Sequence, residues 1–153
     1  MPKALFLDRD GTINIDHGYV CRREDFSFIP GIFELCSRAQ ELGYLLIVIT
    51  NQSGIERGYY TEADYQSVTD FMIHEFASRG IRIADVFHCP SLSGPMRKPA
   101  PGMFLAARDK YRLDMAACVS VGDKQRDLDA AAAAGCSRNF LFQGNFQPIL
   151  LAL

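Results

Sequence analysis

The sequence predicts an α/β fold in which helices cover both faces of a doubly wound, Rossmann-like parallel sheet. Short apolar runs rich in β-branched and aromatic residues alternate with helix-like segments along the whole chain. One run, Tyr44–Ile49, is continuously apolar, which is typical of a parallel strand covered on both faces. A chain of 153 residues can bury one core, so we expect a single domain over residues 1–153.

Local signals mark the ends of several predicted elements. Thr61 and Asp64 have the spacing of a capping box, which predicts that a helix begins there and runs to about Arg79. Glycines follow three of the helical segments, and glycine readily ends a helix. In chain order, we predict strand Ala4–Leu7, helix Gly31–Leu42, strand Tyr44–Ile49, helix Thr61–Arg79, strand Ile83–His88, a helix that follows Pro101 and Gly102 and runs to about Tyr111, strand Cys118–Val121, helix Arg126–Ala134 and strand Asn139–Phe142.

Composition excludes several classes of function. The 16 basic residues are balanced by 18 acidic ones, for a net charge of −2, so a general nucleic-acid-binding protein is not expected. No apolar run approaches the ~20 residues that cross a bilayer, and Asp8–Asp10 interrupt the apolar run nearest the N-terminus. We therefore expect neither a membrane span nor a signal peptide. Five cysteines without a Cys-x-x-Cys pair indicate reduced thiols in a cytoplasmic protein.

Polar residues follow the predicted strands at the points where ligands bind in such sheets. Asp8 comes directly after the first strand, Thr50 after the second, and Asp123 after a later strand and one glycine. Asp10 lies two residues beyond Asp8, and an extended backbone would point both carboxylates to one side. A cation relieves the repulsion between paired carboxylates, and magnesium prefers oxygen ligands. We therefore predict a magnesium site formed by Asp8, Asp10 and Asp123.

The same residue types predict phosphoryl transfer. Asp8 can attack phosphorus to form an aspartyl-phosphate, which divides hydrolysis into two easier steps. Magnesium and Lys98 would supply the positive charge that two approaching anions need, and Thr50 with nearby backbone N–H groups would hold the remaining oxygens. Asp10 is placed to protonate the leaving oxygen and later to deprotonate the attacking water. Each residue alone is unremarkable in a loop or strand end; the combination carries the prediction.

Four motifs resemble those of the haloacid dehalogenase-like phosphatases, from Lys3 to about Ala134. They are Asp8-Arg9-Asp10-Gly11-Thr12, Thr50-Asn51-Gln52-Ser53-Gly54, Arg97-Lys98-Pro99-Ala100-Pro101-Gly102-Met103 and Gly122-Asp123-Lys124. Within that family the chain is most similar to the branch of heptose bisphosphate phosphatases and histidinol phosphatases. The resemblance implies that substrate contacts come from Asp16, His17, Gly18, Tyr19, Thr50, Asn51, Gln52, Ser53, Arg97, Lys98 and Lys124.

The spacing between motifs leaves no room for a separate cap domain, so we expect an open site. Selectivity would then come from the loops 16–23, 53–60 and 89–97. Relatives often bind structural zinc through three cysteines and a histidine in the last of these loops. Here that loop keeps only Cys89, beside His88, so zinc is predicted to be absent. The apolar tail Pro148–Leu153 is expected to pack on the domain or on a second subunit.

The resemblance implies a magnesium-dependent phosphatase that removes the 7-phosphate of a heptose 1,7-bisphosphate, in the synthesis of lipopolysaccharide precursors. Histidinol phosphate or another small phosphate ester is the alternative substrate. A receiver-like signalling module, which also uses aspartate, threonine, lysine and magnesium, and an inactive scaffold are alternatives of other classes. Asp10 favours hydrolysis over signalling because it gives water a general base. We expect a monomer or weak homo-oligomer that binds a phosphorylated sugar, and neither nucleic acid nor membrane.

Overall fold

The computed structural model describes residues 1–153 and contains one five-stranded parallel sheet between two layers of helices, which confirms the predicted fold class. The strands are β1 (Lys3–Leu7), β2 (Tyr44–Asn51), β3 (Ile83–Cys89), β4 (Val119–Gly122) and β5 (Arg138–Leu141). The helices are α1 (Ile32–Glu41), α2 (Glu62–Ala77), α3 (Gly102–Tyr111), α4 (Gln125–Ala133) and α5 (Gln147–Ala152). Short 3₁₀ helices span Arg23–Asp25 and Met115–Ala117.

The strand order places β1 at the centre of the sheet. The order is β3-β2-β1-β4-β5, so the connections reverse direction between β1 and β4. Leu7 lies opposite Val48 of β2 and Val121 of β4, which brings the carboxyl ends of the three strands to one edge. Ligands bind at such a switch point in open α/β sheets.

Alternating side chains of β1 enter two separate hydrophobic cores. Leu5 and Leu7 belong to the core that α1, α2 and α5 cover, whereas Ala4 and Phe6 belong to the core under α3 and α4. All four side chains are at most 1% exposed. A strand buried on both faces is held in register by packing on each side, so the residue that follows it has a well-defined position. That residue is Asp8.

The start of α2 and the end of β2 test two of the predicted element ends. The capping box of α2 is confirmed, because the Thr61 hydroxyl accepts the Asp64 N–H at 3.1 Å and the Asp64 carboxylate accepts the Thr61 N–H at 2.9 Å. The prediction that β2 ends at Ile49 is wrong, since the strand continues to Asn51. Pairing with β3 extends the strand, as Thr50 lies opposite His88. Thr50 is thus a buried strand residue, only 1% exposed.

The C-terminal residues form α5, which was not predicted as a helix. Ile149 is buried in the same core as α1, so the tail packs on the domain. Its neighbour Leu151 points outward and is 77% exposed. None of the helices is both long enough and apolar enough to cross a bilayer.

Candidate active site

A pocket of about 370 Å³ opens at the carboxyl edge of the sheet. Its lining contains every predicted site residue except Thr50 and His17, and it adds four residues that the sequence did not single out: Arg57, Tyr60, Arg126 and Asp127. The lining residues are Asp8, Asp10, Asp16, Gly18, Tyr19, Asn51, Gln52, Ser53, Arg57, Tyr60, Arg97, Lys98, Asp123, Lys124, Arg126 and Asp127.

A buried ammonium group holds the floor of the pocket together. Lys98 Nζ lies 2.8 Å from Asp8 Oδ1, 2.7 Å from Asp127 Oδ1 and 2.7 Å from the Ile49 carbonyl oxygen. Burial opposes the charge of Lys98, but the two carboxylates outweigh it and raise the pKa of this ammonium. Its three donors are all used inside the protein. Lys98 therefore fixes the position of the Asp8 carboxylate as well as balancing its charge.

Asp127 is held on both of its carboxylate oxygens. Oδ1 pairs with Lys98, and Oδ2 accepts the backbone N–H of Lys124 at 3.1 Å. The residue lies in the first turn of α4, where a carboxylate also interacts favourably with the helix dipole. These contacts make Asp127 the residue that orients Lys98.

Three carboxylates meet at the floor of the pocket: those of Asp8, Asp123 and Asp127, whose oxygens lie within 4.8 Å of one another. Burial raises the pKa of Asp8 well above its usual value; Lys98 opposes this rise, while Asp127 and Asp123 add to it. Burial also raises the pKa of Asp123. One lysine against three carboxylates leaves an excess of negative charge that a divalent cation would balance.

Asp123 has the free oxygen that a metal would need. Its Oδ1 is buried and has no hydrogen-bond partner, which is costly unless an ion or another donor occupies the position. Gly11 allows this carboxylate to come close: a Cβ at Gly11 would lie 2.1 Å from Asp123 Oδ2, and the backbone there has φ +91°. The oxygen donors of Asp8 and Asp123 therefore fit magnesium.

The Asp10 carboxylate does not join that group, although the sequence led us to expect it there. Arg9, which is 1% exposed, donates to both Asp10 oxygens at 3.0 Å. Asn14 Nδ2 donates to Oδ1 at 2.9 Å, and Gln52 Nε2 donates to Oδ2 at 3.0 Å. The side chain is turned by these donors, whereas the Asp10 carbonyl oxygen accepts no hydrogen bond. The Asp10 carboxylate is therefore not grouped with those of Asp8, Asp123 and Asp127.

The end of β2 supplies a network of amides and hydroxyls. Asn51 Nδ2 donates to the Lys98 carbonyl oxygen at 3.1 Å, and Asn51 Oδ1 accepts the Lys98 N–H at 3.0 Å. Asn51 thus holds the backbone of the lysine loop. Gln52 Nε2 donates to Thr50 Oγ1 at 2.9 Å, and the Tyr60 hydroxyl donates to Gln52 Oε1. Burial raises the pKa of Tyr60 to about 12, so its hydroxyl remains a donor at neutral pH.

The rim of the pocket is cationic. Arg57, Arg97, Lys124 and Arg126 have no carboxylate within 4.0 Å. Arg97 is tethered by one donor, since its Nη1 contacts the Ser91 carbonyl oxygen at 3.3 Å. Unpaired guanidinium and ammonium groups on a rim suit an anionic ligand.

Two loops complete the walls. Asp16 Oδ1 accepts the Gly18 N–H at 2.9 Å and turns the first loop, and Tyr19 packs edge-on against Tyr59. His17 is exposed and lies outside the pocket lining.

The loop that follows β3 is the one in which the sequence predicts that zinc is absent. His88 Nε2 lies 2.9 Å from Glu62 Oε2, and its ring stacks on Tyr65 at 4.0 Å. The Cys89 thiol is buried, with the Ser91 carbonyl oxygen 3.9 Å from its sulfur. Both side chains have protein partners, and the absence of zinc stays a prediction.

Sequence reasoning missed residues for different reasons. Asp127 could have been suspected, because it lies near the start of the predicted helix Arg126–Ala134, which follows Asp123 and therefore begins at the same edge of the sheet. Arg57, Tyr60 and Arg126 lie in a loop or at a helix start, where spacing gives no direction for the side chain. Nothing in the sequence distinguishes buried Arg9 from an exposed arginine.

Comparison with known proteins identifies the family. A family model described as haloacid dehalogenase-like hydrolase matches residues 14–135. The chain therefore belongs to the haloacid dehalogenase-like hydrolases, as its motifs led us to expect. The matched range includes Lys98 and Asp123, and Asp8 and Asp10 lie just before it.

Named relatives cover most of the chain. It is 51% identical to a D-glycero-alpha-D-manno-heptose-1,7-bisphosphate 7-phosphatase of Campylobacter jejuni, over 86% of this chain and 77% of the relative. It is 47% identical to a D-glycero-beta-D-manno-heptose-1,7-bisphosphate 7-phosphatase of Vibrio cholerae, over 90% of this chain and 80% of the relative. A solved structure of D,D-heptose 1.7-bisphosphate phosphatase from B. bronchiseptica, complexed with magnesium and phosphate, has a TM-score of 0.87 and 34% identity, and covers 98% of this chain and 86% of that one.

Proposed function

We propose that the protein is a magnesium-dependent phosphomonoesterase that acts through an aspartyl-phosphate on Asp8. The observation that carries this proposal is the convergence of Asp8, Asp123 and Lys98 at the switch point of the sheet. A carboxylate that is fixed by a buried lysine and open to a pocket is suited to nucleophilic attack. The solved relative that holds magnesium and phosphate supports the choice of metal.

Asp8 and Asp123 would hold the metal through carboxylate oxygens, and Asp10 through its carbonyl oxygen. When bound, magnesium would supply positive charge against the phosphoryl oxygens. Lys98 keeps Asp8 in place through a contact of 2.8 Å, so the nucleophile does not have to reorganise before it attacks phosphorus.

The remaining steps use the Asp10 carboxylate and the Thr50 hydroxyl. In its protonated form Asp10 would give its proton to the leaving oxygen, and the carboxylate so formed would then take a proton from the water that attacks the aspartyl-phosphate. Thr50 accepts a hydrogen bond from Gln52 and makes only a long contact of 3.4 Å as a donor, to the Asn51 carbonyl oxygen. Thr50 is 1% exposed and does not itself line the pocket, and we propose that it donates its hydroxyl proton to a phosphoryl oxygen.

We propose a heptose 1,7-bisphosphate as the substrate and the 7-phosphate as the group removed. The named relatives act on substrates of this class, and they include both the alpha and the beta anomer. The four unpaired cations of the rim suit the second phosphate and the sugar hydroxyls. We also propose a cytoplasmic protein, because all five cysteines are free thiols. It would act as a monomer or weak homo-oligomer without structural zinc.

Release of inorganic phosphate from a panel of substrates tests the proposal. The panel contains both anomers of heptose 1,7-bisphosphate, histidinol phosphate and para-nitrophenyl phosphate, each with magnesium and with a chelator. We expect magnesium-dependent turnover of the aryl phosphate and the highest kcat/KM for one heptose bisphosphate. A higher kcat/KM for histidinol phosphate would identify that compound as the substrate in place of a heptose bisphosphate. A stable phosphoprotein without turnover would favour the receiver-like module, and no reaction with any substrate would favour an inactive scaffold.

A further inference from the structure

The side chain of Gln52 is occupied by protein groups although it lies in the pocket wall. Its Nε2 donates to Asp10 Oδ2 at 3.0 Å and to Thr50 Oγ1 at 2.9 Å, so both amide hydrogens are used. The residue is 2% exposed. An amide in this state has no donor left for a substrate.

Tyr60 determines which way this amide faces. Its hydroxyl donates to Gln52 Oε1, and a reversed amide would direct its oxygen at the Asp10 carboxylate instead. The Tyr60 ring reaches this place because residue 54 is glycine: a Cβ there would lie 2.1 Å from Tyr60 Cε1. The loop between Gln52 and Tyr60 is therefore closed on itself by this hydrogen bond.

We propose that Gln52 is a positioning residue, held by Tyr60, which aligns the Asp10 carboxylate and the Thr50 hydroxyl for the reaction and does not bind substrate. This inference rests on the proposed phosphatase activity, and it replaces the role in substrate binding that the family resemblance implied for Gln52. One amide links the group that moves protons to the hydroxyl that holds a phosphoryl oxygen. A shift of either group by a fraction of an ångström slows chemistry without weakening binding.

The Gln52→Met variant separates positioning from binding, because methionine keeps the length of the side chain and removes its polar atoms. With para-nitrophenyl phosphate and magnesium, we expect kcat to fall about 10- to 100-fold, the scale of two lost hydrogen bonds near reacting groups. KM and the inhibition constant of inorganic phosphate should each change less than about 2-fold. A substrate ligand would instead raise both constants, and that result would overturn the inference.

Tyr60→Phe removes only the hydroxyl that donates to Gln52, so it tests whether Tyr60 acts through Gln52. We expect kcat to fall about 3- to 10-fold in the wild-type background and less than about 2-fold in the Gln52→Met background. Equal effects in the two backgrounds would show that Tyr60 acts independently of Gln52 and would contradict the proposal. This comparison remains valid if both single variants lose some stability, because thermal unfolding of each variant is measured alongside.

Tyr44→Phe is the matched control. Tyr44 is a buried tyrosine whose hydroxyl accepts a hydrogen bond from Arg138 Nη2 at 3.0 Å, at the opposite end of β2 from the site. We expect its removal to cost stability and to leave kcat within about 2-fold of the wild type. If the wild-type protein releases no phosphate, the proposed function fails; if it does so and the double-variant cycle is additive, only the role of Gln52 fails.

Discussion

Asp123 precedes α4 and Asp127 lies in its first turn, and both line the same pocket. The structure predicts that removing their charges changes stability in opposite directions. Asp127 pairs with Lys98 at 2.7 Å, with side chains 7% and 2% exposed. Asp123 has no ion pair, and its buried Oδ1 has no partner. The same substitution, aspartate to asparagine, therefore removes an attraction at one position and a repulsion at the other.

Asp127→Asn should lower the free energy of unfolding by about 1–3 kcal/mol without magnesium. A hydrogen bond to a charged group contributes ~1.5–3 kcal/mol, and the loss of repulsion among the three carboxylates offsets part of that. Asp123→Asn should raise the free energy of unfolding by about 0.5–2 kcal/mol under the same conditions, the usual gain when a strained functional group is neutralised.

The titration of Asp123 explains why its substitution by asparagine should raise the free energy of unfolding. Burial raises its folded-state pKa above 3.8, so stability is greatest below the unfolded pKa and falls as pH rises through the folded pKa. At neutral pH the carboxylate is ionised at a cost, and asparagine removes that cost. The gain from Asp123→Asn should therefore be present at pH 7 and vanish near pH 3–4, on the order of the unfolded pKa.

Urea denaturation with a chelator and with excess magnesium measures both effects. Magnesium at about 100 times its dissociation constant should stabilise the wild type by about 2.7 kcal/mol. Asp127→Asn should keep most of this response, and Asp123→Asn should lose it. Asp129→Asn is the control on the same helix, because its carboxylate makes only an exposed contact with Gln125 at 3.0 Å. A magnesium response lost at Asp127 and kept at Asp123 would reverse the two roles and refute the reasoning.

Three further predictions concern activity and metal content. Asp8→Asn should abolish turnover because an amide is a poor nucleophile, and Asp10→Asn should reduce kcat by ~100-fold or more. Near-wild-type turnover in either purified variant would exclude the two-carboxylate mechanism. A chelator should remove activity, and added magnesium should restore it. Elemental analysis should find no stoichiometric zinc, and about one zinc per chain would contradict our interpretation of the loop after β3. Arg97→Ala should lower kcat/KM for heptose bisphosphate about 10- to 100-fold and affect para-nitrophenyl phosphate much less, whereas equal losses would place Arg97 in the machinery common to both substrates.

The strand ends could be located from sequence because few alternatives exist for a buried parallel strand. A continuous apolar run followed by aspartate is enough to place Asp8, and the parallel order then brings Asp123 to the same edge. Lys98 could be placed only through its motif, since it lies in a loop. Its contacts with Asp8 and Asp127 depend on side-chain directions that spacing does not encode.

The direction of Asp10 could not be predicted for a related reason. An extended backbone over Asp8–Asp10 would point both carboxylates to one side, but the chain turns at Gly11 with φ +91°. Arg9 then becomes buried and draws the Asp10 carboxylate toward itself, with Nη2 also donating to the Val20 carbonyl oxygen at 2.9 Å. This arginine is buried because the loop that ends at Val20 packs against it. The sequence around Asp8 and Asp10 contains no signal of that packing.

The charges of the pocket divide into an inner anionic group and an outer cationic rim. Inside, Asp8, Asp123 and Asp127 exceed the single charge of Lys98, whose three donors are already used. This lysine alone therefore leaves no net positive charge for a transferred phosphate, and a divalent cation would supply the charge that is missing. The unpaired cations of the rim line the same pocket, so we expect them to act on whatever the substrate carries outside its transferred phosphate. A second phosphate is the group whose binding such a rim would strengthen most. We therefore expect this site to select its substrate by charge more than by surrounding it.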